Sequence, residues 1–207
     1  MYLDERIALL DHMRRMNEQE EVEAVPQENK GLSMEQALES LSNGKLKLED
    51  GSMLEFELQT HFPQKIPFVC FKDFYQASRE EKEALILVNH DKAVSQIMTL
   101  ATQERVAKTL DQWANLLVNG MAANRMYAKV LKKVSLEKVE YICFEIPAAE
   151  KWVWNIIFRF KDKWLNFNGN YNCLKQDTPL YGMLLEAMVV QLNQWVMEQE
   201  GMDVDGK

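Results

Sequence analysis

Apolar residues first recur at Leu3, Ile7, Leu10, Met13 and Met16, a spacing that puts them on one stripe of a helix whose other faces carry Asp4, Glu5, Arg14 and Arg15. The stripe gives way to QEEVEAVPQENKG, a polar, acidic stretch that reads as a linker. An isolated helix of this length is marginal in water, so its apolar stripe is expected to dock on its own domain, on a partner helix or on a second copy of the chain. Ser33 followed by Gln36 is a capping-box pattern that opens a short helix from Met34 to Leu41, ended by Asn43-Gly44.

The period then changes from helical to two. KLKLEDGSMLEFELQ holds two alternating runs around Asp50-Gly51, a hairpin signal. Pairing Leu48 with Leu54 and Leu46 with Phe56 gathers apolar residues on one face and sets Lys47 against Glu55 and Lys45 against Glu57 on the other. HFPQKIPFVCFKDFYQ is broken by Pro63 and Pro67 and reads as an irregular or edge segment with a short strand from Pro67 to Phe71. EALILVN and AVSQIMTLA are two strands joined at His90-Asp91-Lys92. Thr102 caps a helix running to Asn119-Gly120, with Val106, Leu110, Trp113 and Leu117 on one face. AKVLKKV and KVEYICFEI are strands joined near Ser135 to Glu137, the second closed by Pro147. After two more strands, Thr178-Pro179 opens a last helix to about Glu200. Its buried face carries Leu180, Leu184, Met188, Leu192 and Trp195, and GMDVDGK follows as a frayed tail.

The two strands before that helix lie in KWVWNIIFRFKDKWLNFNGNYNC, where the alternation is sharpest. Trp152, Trp154, Ile156, Phe158 and Phe160 share a face with Leu165, Phe167, Gly169, Tyr171 and Cys173. A loop centred on Asp162-Lys163 opposes Phe158 to Phe167, Ile156 to Gly169 and Trp154 to Tyr171, whereas a one-residue slip would bury unpaired amides. The other side then carries a polar file of Asn166, Asn168, Asn170 and Asn172, with Arg159 facing Asn166 and Trp164 at its end. Two readings compete. Antiparallel sheets commonly leave one face wet, and Asn tolerates water. Alternatively the file lines a groove in which the amides and Arg159 hydrogen-bond a peptide or polar ligand and Trp164 anchors it.

Short turns between neighbouring strands imply an α+β fold, a central antiparallel sheet with helices packed on its faces, a long C-terminal helix and an appended N-terminal helix. Residues 1–30 read as that helix with its acidic linker, 31–200 as a single domain and 201–207 as a disordered tail. At 207 residues, 47 % of them hydrophobic, a sizeable core is expected. A net charge of −8 argues against a sequence-independent nucleic-acid binder; Lys129, Lys132 and Lys133 read as a solvated strand face. Cys70, Cys143 and Cys173 sit in apolar strings without a CxxC, which favours reduced core thiols and a cytoplasmic protein. The N-terminus lacks the h-region of a secretory signal, and no run of about 18 apolar residues marks a membrane span.

The segment from about Leu85 to Val196 resembles the PsbP-like superfamily, which includes the DcrB-like bacterial proteins. The resemblance rests on the LILVNHDKAVSQIMTL hairpin, the TQERVAKTLDQWANLL helix, the VEYICFEI and WVWNIIFRF strands and the terminal LLEAMVVQLNQW helix. It implies an antiparallel sheet with helices on both sides and a protein that binds other proteins, as assembly factor, adaptor or chaperone. It carries no catalytic signature and hence no functional residue to transfer.

The residues themselves offer little chemistry. His12, His61 and His90 lie too far apart in sequence for a helical metal pair, and no glycine-rich phosphate loop occurs. His90 in VNHDK reads as a turn residue and His61 as a loop residue. No cofactor or metal is expected. The sequence therefore points to a cytoplasmic protein-binding domain without catalytic activity, its partner a protein or peptide, with dimerisation through the N-terminal helix as an option. The alternative is a small-molecule hydrolase or transferase with a site near His90 or His61.

Overall fold

The computed structural model describes residues 31–62, 65–100, 109–161 and 167–204, with side chains to residue 198. The helix and linker expected over 1–30 lie outside the described residues, as do Trp164, Asn166 and residues 205–207. Helix α1 (Met34–Ser42) opens on the expected capping box: Ser33 Oγ accepts from the Gln36 N–H at 3.2 Å, and Gln36 Oε1 accepts from the Ser33 N–H at 3.0 Å. It leads into a three-stranded antiparallel sheet in the order β1 (Lys45–Lys47), β2 (Met53–His61) and β3 (Ile66–Phe71). Pro67 sits opposite Thr60, and β3 forms an edge as this proline requires.

Seven further strands follow: β4 (Ala77–Glu80), β5 (Ala84–Asn89), β6 (Val94–Leu100), β7 (Lys129–Ser135), β8 (Val139–Ala148), β9 (Lys151–Phe160) and β10 (Phe167–Leu174). They form one antiparallel sheet in the order β4-β5-β6-β10-β9-β8-β7, so the last strand to emerge from the chain inserts between β6 and β9. Strand β4, ASRE, is exposed throughout and carries no apolar alternation, which is why the sequence pattern misses it. Helix α2 (Leu110–Ala123) joins β6 to β7, and α3 (Met183–Val204) follows a 3₁₀ turn at Lys175–Asp177 and a π turn at Thr178–Gly182. The α+β class, with helices on both faces of an antiparallel sheet, is as expected.

Several boundaries differ. Helix α2 is capped by Thr109 and Gln112, whose reciprocal bonds form a second capping box; Thr102, the expected cap, and Val106 lie outside the described residues. The helix runs through Asn119-Gly120 to Ala123. Strand β8 continues through Pro147, which pairs with Trp152 at the end of the hairpin. Helix α3 extends past Glu200 to Val204. Its first turns carry no stripe: Leu184, Leu185, Glu186, Ala187, Met188 and Val189 are all buried, because the helix is enclosed by the large sheet, β3 and α1.

Both analysed hairpins adopt a register two residues away from the one expected. In the first, Lys45 pairs with Glu55, Leu46 with Leu54 and Lys47 with Met53. The cause is the loop. Gly51 N–H donates to the Leu48 carbonyl at 3.0 Å, Leu48 N–H donates to Ser52 O at 2.9 Å, and Gly51 has φ +84°, a three-residue loop with a left-handed glycine. In the second, Phe158 pairs with Gly169, Ile156 with Tyr171 and Trp154 with Cys173. Here the cause is packing: the Phe158 ring lies over Gly169, where an added Cβ would come within 2.0 Å of Phe158 Cζ. A shift of two residues keeps every side chain on its face, so the sorting into core and polar sides survives.

The core face of the large sheet brings Tyr141, Cys143, Ile156, Phe158, Phe167, Tyr171 and Cys173 under α3 and β3, where Phe68 stacks on Phe167 with centroids 5.2 Å apart. Lys129, Lys132 and Lys133 are exposed, as expected of a solvated strand face, but Lys132 also reaches the core on this side. Its Nζ donates to both Glu186 carboxylate oxygens at 2.6 Å, and Tyr141 Oη donates to Glu186 Oε1 at 2.6 Å. Lys133 reaches Asp111 of α2 instead.

Candidate functional site

The opposite face of the large sheet holds the asparagine file, and the pairing fixes its neighbours. Glu140, Arg159, Asn168 and Thr99 form one cross-strand row; Ile142, Ile157, Asn170 and Ile97 the next; Phe144, Asn155, Asn172 and Ser95 the third. Arg159 thus stands beside Asn168 rather than Asn166, and Asn170 is flanked by two isoleucines.

Helix α2 covers β7 and β8 with part of β9. Ala114 is buried among Ile142, Phe144 and Ala128, with Trp113, Leu117 and Ile157 packed around them. Arg159 is drawn under this helix. It is 5 % exposed, its Nε donates to Glu140 Oε1 at 2.5 Å, and its guanidinium carbon lies 4.4 Å from the centroid of the Trp113 ring. A charge buried to this degree needs both a counter-charge and directed bonds, and Glu140 with Trp113 supplies them. Arg159 therefore acts as an internal clamp between β9, β8 and α2. Glu140 and Trp113 are the partners that sequence spacing could not reveal, since both lie on other elements.

Beyond α2 the file is half-buried. Asn172 Nδ2 donates to Ser95 Oγ at 2.8 Å, and Asn155, which is buried, donates to the Val153 carbonyl at 3.1 Å. Asn170 differs: its carboxamide oxygen is buried without a hydrogen-bond partner. Such an oxygen costs roughly 1–3 kcal/mol relative to a satisfied one. Of the six residues predicted to bind a partner, Asn168, Asn170 and Asn172 share one column, Arg159 closes one end from beneath α2, and Trp164 and Asn166 lie outside the described residues.

His61 lies on the three-stranded sheet, and His90 in the turn between β5 and β6, the strand beside β10. His90 is an exposed turn residue whose N–H donates to Gln76 Oε1 at 2.8 Å. His61 is buried on β2, its Nδ1 3.1 Å from Glu80 Oε2 and its Nε2 3.0 Å from Gln59 Oε1. Burial pushes the thiols of Cys70 and Cys173 up to about 12 and raises Cys143 as well, so none is a thiolate nucleophile at neutral pH. Among the described residues no three His, Cys, Asp or Glu side chains gather as a metal site, and no helix is long and apolar enough to cross a membrane.

A second concavity, of about 380 Å³, escaped the sequence pattern. It lies between β2 and β3, which contribute Leu58, Pro67 and Val69, and the middle of α3, which contributes Met188, Leu192 and Trp195, with Ser42 and Glu198 also lining it. Leu58 is 68 % exposed, the reverse of what its alternating strand predicts.

No protein-family model matches the chain, and no curated protein matches it.

Proposed function

We propose that this chain is a protein-binding domain, adaptor or chaperone-like, which presents the Asn168–Asn170–Asn172 column to a protein or peptide partner. The observation that carries the reading is Asn170, a half-buried carboxamide whose oxygen has no partner, set between Ile157 and Ile97 on a sheet face that α2 covers only from β9 outward. A polar acceptor bounded by apolar walls is the arrangement that recognises a donor on an incoming chain. The likeness of 85–196 to the PsbP-like superfamily supports the same class of function, and reduced, buried thiols accord with a cytoplasmic setting. Residues 1–30 have two roles open to them in this reading, docking on their own domain or serving as an arm for dimerisation, and in the second case they hold a second copy of the chain. Their deletion is then expected to abolish a dimer while the rest of the chain stays folded and soluble.

A second reading, a hydrolase or transferase centred on His61, has one observation in its favour, the carboxylate of Glu80 3.1 Å from the imidazole. Gln59 occupies the other ring nitrogen, which leaves no free position for proton transfer without rearrangement. The two are separated by a thermal-shift screen against a metabolite panel run beside affinity purification of the tagged chain. Polypeptides that co-purify reproducibly, with no stabilising metabolite, support the binding domain. A metabolite that raises the melting temperature, and loses that effect in His61→Ala, supports the enzyme.

A further inference from the structure

Among the described residues the three-stranded sheet has an unused edge. Strand β2 pairs with β3 along Phe56–His61 but with β1 only along Met53–Glu55. Which residues face which side follows from two bonds: Lys72 N–H donates to the Glu55 carbonyl at 2.8 Å, and Phe56 N–H donates to the Gly44 carbonyl at 2.9 Å. Backbone groups alternate along a strand, so Glu57, Gln59 and His61 bond to β3, whereas Leu58 and Thr60 point their N–H and C=O groups the other way. Pro67, which has no N–H, agrees with this phase, because it lies opposite Thr60 at a pair that needs none. Beyond Gly44 the chain turns back into α1, so among the described residues nothing continues the ladder past Phe56.

The side chains around this edge are complementary to one kind of occupant. Leu58, 68 % exposed, stands at the mouth of the concavity lined by Val69, Leu192 and Trp195, so an added strand would set an apolar side chain beside it. On the other face Glu57 accepts from Gln59 Nε2 at 2.5 Å and, among the described residues, forms no direct ion pair, whereas the next carboxylate, Glu55, is bonded to Lys72, which Glu57 meets only at longer range. Glu57 therefore offers a carboxylate without a direct ion pair next to the vacant ladder. A chain of net charge −8 is poorly suited to meet a second copy of itself there.

We propose that the β2 edge at Leu58 and Thr60 is a second binding surface, distinct from the asparagine column, which takes an extended segment of a partner protein as an added strand. The segment alternates apolar side chains beside Leu58 with cationic ones beside Glu57, and main-chain hydrogen bonds to Leu58 and Thr60 hold it in register.

The test uses the full chain, isotope-labelled, with amide exchange followed by NMR. The probe is an end-blocked octapeptide alternating lysine and valine; its twin is N-methylated at every valine and so lacks the donors that would face β2. In the free chain Leu58 and Thr60 should exchange at least tenfold faster than Gln59 and His61. The probe should slow Leu58 and Thr60 at least tenfold, and the methylated twin should not. Thr60→Pro removes an N–H that bonds to nothing among the described residues, so the fold should survive while protection of Leu58 by the probe is lost. The proposal is overturned if Leu58 and Thr60 are already protected without probe, because the edge is then occupied by this chain or a second copy. It is equally overturned if the methylated twin protects as well as the probe, if the probe perturbs Asn168 and Asn170 instead, or if millimolar probe leaves the spectrum unchanged.

Discussion

At the scale of single residues, glycine 169 does the most to fix the structure. The Phe158 ring occupies the space a side chain would take, and the ring covers a backbone that would otherwise be a weak point in β10. Gly169→Ala is expected to destabilise the protein by about 3 kcal/mol, at the upper end of overpacking penalties, because the clash is with a ring held in the core. Urea unfolding measures it, and adding Phe158→Leu should return part of the loss. The three thiols give a pH dependence of definite sign. Burial raises them in the folded chain, so their contribution is complete below an unfolded thiol's value of about 8.5 and declines as the pH climbs toward 12, by about 1.4 kcal/mol per pH unit for each thiol. Unfolding midpoints from pH 8 to 11 should therefore fall, and should fall less in a Cys173→Ala variant. Native protein at pH 8 should resist alkylation that goes to completion in denaturant.

Secondary-structure elements were legible from the chain in proportion to how local their determinants are. The Ser33–Gln36 box was read correctly because capping is decided within four residues. The Thr109–Gln112 box has the same pattern, but the apolar periodicity of the sequence runs on upstream of it and hides it. Alternation gave the faces of every strand in the Trp-rich hairpin. It could not give the register, since a shift of two residues leaves all faces unchanged and only the Gly169–Phe158 contact or the Glu49–Asp50–Gly51 loop distinguishes the options. Helix α3 was read as amphipathic because its sequence does carry a stripe, but enclosure by β3 and α1 makes the remaining apolar positions core as well. Its one buried charge, Glu186, depends on a lysine that the sequence places on a polar strand. Lys132→Met should cost about 2 kcal/mol, less than for a fully buried pair since the lysine side chain is half exposed. Thr109→Ala should cost about 1 kcal/mol through loss of the cap. Both are read from thermal or urea unfolding.

For the molecule as a whole, the chain's pattern revealed one sheet and its polar column but not the division into two sheets. Strand β10 lies between β6 and β9, and the union of the two halves of the large sheet is a long-range fact that no local window contains. Arg159 was placed on the correct face, yet its burial under α2 rests on Trp113 and Glu140, which the sequence separates from it. What alternation identified and the fold retains is the column Asn168, Asn170 and Asn172, beside the part of the face that α2 covers. The unpartnered Asn170 oxygen makes this column tolerant of change: Asn170→Ala removes a buried acceptor left unsatisfied, which offsets the packing lost with the side chain, so Asn168→Ala with Asn170→Ala should not lower stability by more than about 1 kcal/mol. That tolerance permits the most direct test of the binding reading. The tagged full chain and this double variant, matched for circular dichroism and melting temperature, are used to capture the polypeptide that co-purifies with the wild type, and its yield is quantified by mass spectrometry. The account predicts at least a tenfold loss of that polypeptide in the double variant; an undiminished yield from an equally folded variant would contradict it.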